Sequence, residues 1–216
     1  MLDILYKDHQ LFAVNKPPGI AVQPDKTGDV ALQKLAEAYC KQPLHLVHRL
    51  DRPVSGVVVF AKTKTAMTSL TEQFRSRSVE KTYLAVVQNL PPETEGSLVH
   101  FLKKNEAKNI SVVAPESQPG TERGELRYRL LGSSERYHLL EIQLITGRHH
   151  QIRAQLAAIG CPVKGDVKYG FRRSNRDRSI HLHAWRLAFA HPISGERISL
   201  EAKPPDEVVW RAFEGI

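Results

Sequence analysis

The chain has 216 residues, 41% of them hydrophobic and 25% charged, and 31 Lys+Arg against 23 Asp+Glu give a net charge of +8. These figures exclude a disordered chain and a large multidomain assembly, and one globular domain is expected over 1–216. Two cysteines, Cys40 and Cys161, exclude a disulfide scaffold, and no apolar run reaches the roughly 18 residues of a membrane span.

In chain order, Leu2 to Lys16 reads as two short strands, Leu11–Val14 being the clearer. Pro17-Pro18-Gly19 breaks the chain, and Asp29 is placed to cap a helix with Leu32, Leu35, Ala36 and Tyr39 on one face. Val54 to Phe60 reads as a buried strand, and Thr65 to Arg75 as a helix with Ala66, Leu70 and Phe74 inward. Tyr83 to Gln88 is a further strand, and Pro91 to Gly96 a loop. Leu98–Leu102, Ile110–Val113 and Leu126–Leu131 follow as short strands, then Tyr137–Ile145 as a long one. At Thr146-Gly147 the period switches to helical: Ile152, Leu156 and Ile159 share a face, and Gly160 with Pro162 stops the helix. Residues 164 to 180 form a basic loop. Leu182–Ala190 and Ile198–Ala202 read as a hairpin turning at Ser194-Gly195, and a short helix closes the chain near Val208–Phe213. Strands outnumber helices and are often sequential, which argues α+β with mostly antiparallel pairing.

The charge is concentrated. From Arg148 to Arg186 there are nine Lys/Arg against Asp166 and Asp177, a net +7. Such a field attracts phosphates and makes binding salt-dependent; without a partner it is a solvated face.

Two polar clusters invite chemistry. In His48-Arg49-Leu50-Asp51-Arg52-Pro53-Val54-Ser55-Gly56, Asp51 is flanked by arginines, which favour its ionised form. It reads either as a nucleophile, base or binding group, or as one member of a surface ion network. Thr146 to Arg153 opens a helix, where free N–H groups together with Arg148 and Arg153 suit an anion; the other reading is a basic helix start that packs on the sheet. Tyr83 either stacks on a base or packs in the core. The histidines lack metal-ligand spacing, and neither a G-x-G-x-x-G nor a Walker A loop is present. No metal and no cofactor are expected.

Taken together, the segments resemble the RluA-like RNA pseudouridine synthases over nearly the whole chain. Val14 to Gly19, His48 to Gly56, Glu80 to Ala85, Gly147 to Arg153 and His181 to Ala184 follow one another in the family's order. The resemblance implies a bent, mixed, mostly antiparallel sheet with surrounding helices and a central cleft. It implies isomerisation of uridine to pseudouridine in tRNA or rRNA. Asp51 is implied as the catalytic residue, Arg153 as its ion-pair partner, and Tyr83 and Ile152 as walls of the uracil pocket. Arg49 is implied to fill the place of the flipped nucleotide. Lys16, Pro17 and Gly19 match an early element of the family. Arg52, Arg148, Lys164, Lys168, Arg172, Arg173 and Arg176 are the expected contacts to the RNA backbone. Three positions depart from the usual pattern: Val54, His149 and Gln155. The chain is expected to be cytoplasmic, without an N-terminal S4-type domain, a leader segment or an obligate protein partner. The competing reading is a non-catalytic RNA-binding or ribosome-associated module.

Overall fold

The structure, a computed structural model, describes residues 2–215. The chain folds as two compact units. The first runs through Lys81 and adds His183–Pro205; the second is Thr82–Leu182 with the segment from Asp206 onward.

In the first unit, β1 (Asp3–Lys7) and β2 (Leu11–Lys16) form an antiparallel hairpin, and β2 runs antiparallel to β4 (Ser55–Ala61), Leu11 facing Ala61. The two-residue β3 (His45–Leu46) adds to the end of β4. β10 (Leu182–Ala190) pairs with β4 in parallel at Ser55 and Gly56, and β11 (Arg197–Glu201) closes the hairpin with β10. Along β2 and β4, Leu11, Ala13, Val57, Val59 and Ala61 pack with Ala66 and Leu70 of α2 (Lys64–Ser76) and with Leu187 and Phe189 of β10. The alternate residues Phe12, Val14, Val58 and Phe60 are buried as well, and Phe12 stacks on Tyr39 of α1 (Leu32–Cys40) at 5.5 Å. Burial of both faces is why β4 reads as an unbroken apolar run. Thr63 caps α2, its Oγ1 accepting the Ala66 N–H.

The second unit is an antiparallel sheet in the order β5 (Glu80–Val87), β9 (His138–Leu144), β8 (Thr121–Ser133), β6 (Glu95–Asn105), β7 (Ile110–Ala114). Helix α3 (Gln151–Ala158) packs beside β6 and β7, and a 3₁₀ turn (Val167–Tyr169) follows it. The terminal helix α4 (Val208–Arg211) carries buried Trp210, whose ring sits 5.4 Å from that of His181. No helix among the described residues is long and apolar enough to cross a membrane.

The α+β class and the mostly antiparallel pairing are as expected, but three local readings are corrected. Asp29 does not cap α1. The N-cap is Ala31, without a side-chain cap, and Asp29 pairs with Arg52 at 2.6 Å. Glu95 and Gly96 belong to β6, not to a loop. β8 begins at Thr121, well before Leu126, because Arg123, Arg127 and Arg129 occupy the exposed half of its alternation. An amphipathic strand that dilutes its apolar residues with charges shows only its most hydrophobic stretch to a sequence reading.

Candidate active site

Arg49, Asp51 and Arg52 belong to the first unit. Tyr83, Arg148, Ile152, Arg153, Lys164, Lys168, Arg172, Arg173 and Arg176 belong to the second.

In the first unit, most of the segment from His48 to Gly56 is consumed by the fold. His48 Nε2 accepts the Val59 N–H at 3.0 Å, and its ring stacks on Phe74 at 4.8 Å. Burial, with Lys81 nearby, pushes His48 down to about 4, so it stays neutral and keeps its acceptor. Leu50 and Val54 are core residues. Ser55 donates to His183 Nδ1 at 2.8 Å, and His183 Nε2 donates to the Ala202 carbonyl at 2.9 Å. Burial likewise brings His183 down to about 4, which leaves Nδ1 open as the acceptor. Gly56 has φ +119° and lies against the Ala184 backbone, where a Cβ would come within 2.2 Å of the carbonyl oxygen.

Exposed Arg49, half-buried Asp51 and half-buried Arg52 are what the fold leaves at the surface of the segment. The backbone beneath Asp51 is fastened from the opposite side. The Arg52 carbonyl accepts both the Gly19 N–H at 2.8 Å and Lys16 Nζ at 3.1 Å. Lys16, wholly buried, also donates to the carbonyls of Pro17 at 3.0 Å and Ile20 at 2.8 Å. Three carbonyls match the three donors of an ammonium group. Burial lowers Lys16 to about 7, and the Arg52 charge adds to this while the Asp51 carboxylate opposes it. The early Lys16–Gly19 element is therefore the floor of the aspartate segment. Arg52 itself is engaged: its guanidinium binds Asp25 at 2.8 Å, Asp29 at 2.6 Å and Thr27 at 2.6 Å, closing the 25–29 loop.

In the second unit, Tyr83 is half-buried on β5 opposite Ile142 of β9, and Ile152 is buried on α3. Every residue from Gln151 to Leu156 is buried, including Gln151, Arg153 and Gln155. Gln151 holds the helix entry, its Oε1 accepting Thr146 Oγ1 at 2.7 Å and the Arg148 N–H at 3.0 Å. Arg153 makes a two-pronged ion pair with Asp166, Nε to Oδ2 at 2.7 Å and Nη2 to Oδ1 at 2.9 Å. Its guanidinium also lies over the Tyr169 ring at 5.0 Å. Neither Asp166 nor Tyr169 was given a role from the sequence; that Asp166 is one of two acids in a basic loop was the available signal.

The expected backbone contacts divide into two groups. Arg148 is tied to Glu122 at 2.6 Å and to the Arg123 carbonyl, and Lys164 to Asn175 Oδ1 at 2.8 Å. Lys168, Arg172, Arg173 and Arg176 are exposed on the loop. Asn175 braces that loop, donating to the Ser179 carbonyl and bonding His181 Nδ1.

Residues 10–158 match the model of the RNA pseudouridylate synthase family. The chain belongs to this family. It is 32% identical to a tRNA pseudouridine synthase C of Pectobacterium carotovorum over 94% of this chain and 59% of that protein. It is 34% identical to a ribosomal large subunit pseudouridine synthase C of Vibrio cholerae over 92% of this chain and 64% of that protein. The chain thus spans less than two thirds of the length of both relatives. A solved human structure, RNA pseudouridylate synthase domain containing 4, superposes with a TM-score of 0.78 at 27% identity, over 97% of this chain and 90% of that one.

Within the pseudouridylate synthase frame, the three departures sit in supporting positions. Val54 is core. His149 bonds Ser111, through both Nδ1 and its carbonyl. Gln155 Nε2 donates to the carbonyls of Leu98 at 3.0 Å and Gly124 at 3.2 Å, joining α3 to β6 and β8.

Proposed function

We propose that the chain isomerises specific uridines to pseudouridine in structured RNA, with Asp51 as the essential carboxylate. The reaction breaks the N1–C1′ bond, turns the base and rejoins it through C5, with no net change in oxidation state. Asp51 acts by attack on the nucleotide or by removing a sugar proton. Access to C1′ requires the nucleotide to leave its stack. Arg49 takes the vacated space, Tyr83 stacks on the target base, Ile152 walls the pocket, and Arg153 supports catalysis.

One observation carries the reading. The fold spends His48, Leu50, Val54, Ser55 and Gly56 on its own packing and anchors the Arg52 carbonyl from Lys16 and Gly19. This construction holds one carboxylate and one exposed arginine at the surface, and a merely structural turn has no use for it.

The relatives' names specify tRNA in one case and the large ribosomal subunit in the other, at nearly equal identity. Both substrate classes are therefore proposed. Mapping pseudouridine across cellular RNA with and without the gene is expected to show a small, discrete set of uridines that lose the modification. An unchanged map would reject the proposal.

The exposed loop arginines supply the backbone grip. Replacing Arg172, Arg173 and Arg176 together with Gln is expected to weaken RNA binding at every salt concentration. The slope of log K against log salt should shrink by about 2 to 3, at roughly 0.7 to 0.9 per neutralised phosphate. An unchanged slope in a filter-binding titration would place the RNA path elsewhere.

A further inference from the structure

We propose that Asp166 and Tyr169 are positioning residues that aim the Arg153 guanidinium; this rests on the role given to Arg153 in the proposed reaction. An arginine carries five N–H donors in a planar fork. Asp166 takes one from Nε and one from Nη2, so the side-on edge is committed to a carboxylate that is 1% exposed. One donor of Nη1 and the second donor of Nη2 lie on the end-on edge and face a different direction. The side-on anchor and the ring of Tyr169, 5.0 Å from the guanidinium carbon, fix the plane in which that edge points.

Tyr169 is itself held. Its hydroxyl accepts the Ser111 N–H from β7 at 2.7 Å and shares a 2.9 Å hydrogen bond with His150 Nδ1. His150 has left-handed φ 51° at the entry to α3, and its ring stacks on His149 at 3.9 Å. Ser111 Oγ donates to the His149 carbonyl at 2.6 Å. A strand, a helix entry and the 3₁₀ turn therefore converge on one phenol, and that phenol supports one guanidinium. A buried arginine that needed only charge balance would be served by Asp166 alone. The phenol adds direction, and a misplacement of about 1 Å in a catalytic group costs about 100-fold in rate.

The test compares Asp166→Asn, Tyr169→Phe and Tyr169→Leu by single-turnover pseudouridine formation at saturating RNA, by RNA affinity, and by the Arg153 Nε–H signal in NMR, assigned by its loss in Arg153→Lys. Asp166→Asn and Tyr169→Leu are expected to slow the saturated rate about 100-fold with RNA affinity within about threefold. Their Arg153 Nε–H should exchange faster with solvent. Tyr169→Phe keeps the ring but loses the two hydroxyl bonds that hold it, so its rate should fall between those of Tyr169→Leu and the wild type. Wild-type rate and exchange in Tyr169→Leu would overturn the inference. The NMR readout is independent of turnover: if the Arg153 signal depends on both residues while the wild type modifies no RNA, the positioning stands and the proposed reaction falls.

Discussion

Asp51→Asn is expected to yield no measurable pseudouridine, a loss of at least about 10⁴-fold on the scale set by essential catalytic groups in other enzymes. Asparagine keeps the size and one carbonyl acceptor of aspartate, yet it has no charge with which to attack a nucleotide or take a proton. The Asp51 backbone carbonyl accepts the Val54 N–H at 3.1 Å, and the substitution leaves that bond in place. Lys16 and Gly19 hold the next carbonyl, that of Arg52, in either variant. The variant should therefore remain folded and bind RNA, which circular dichroism and filter binding would establish beside nucleoside mass spectrometry of the product. Turnover near the wild-type rate would remove Asp51 from the mechanism.

The second large effect is on stability. Gly56→Ala puts a methyl group 2.2 Å from the Ala184 oxygen and 2.5 Å from its nitrogen, at a φ of +119°. Both opposing atoms are backbone, so no side chain can swing away. The strands β4 and β10 must separate at the one place where they pair, Ser55 with His183 and Gly56 with Ala184. Backbone strain and overpacking each cost about 1–3 kcal/mol, so a total near 4 kcal/mol is expected. A domain has about 5–15 kcal/mol of stability in all. At about 2–4 °C per kcal/mol for a chain of this size, the melting temperature should fall by roughly 8–16 °C. The shift also strains the Ser55–His183 bond, so activity should decline in the folded fraction. A melting temperature unchanged by Gly56→Ala in a calorimetric scan would contradict the close approach of these strands.

Both experiments probe a segment that was prominent in the sequence, but for different reasons. Asp51 stood out by its arginine neighbours and by its place in a family pattern. Gly56 gave no sign of its demand, because the atoms that forbid a side chain come from Ala184, 128 positions later. The same division runs through the molecule. β2, β4 and α2 were legible because local pattern and burial agree there: β4 is buried on both faces, and α2 turns Ala66 and Leu70 to the core behind a Thr63 cap. β8 was read too short because half of its alternation is charged and exposed, and β6 because Glu95, Ser97, Lys103 and Lys104 extend it beyond its apolar stretch.

α3 marks the limit most clearly. Its apolar positions suggested a stripe through Ile152, Leu156 and Ile159. The fold buries Gln151 through Leu156 without exception. Those polar side chains are tolerable inside because each finds a partner: Gln151 at Glu125, Arg153 at Asp166, Gln155 at Leu98 and Gly124. By itself the sequence determined the class of the fold, the strongest strands and helices, the basic character of the 148–186 segment and the family-like motifs. Those properties depend on composition, local periodicity and residue order, which a linear string contains. Only the tertiary structure decided which polar groups go inside and what they bind. Burying a charge is costly until a distant partner arrives to meet it, and that meeting is a property of the folded chain.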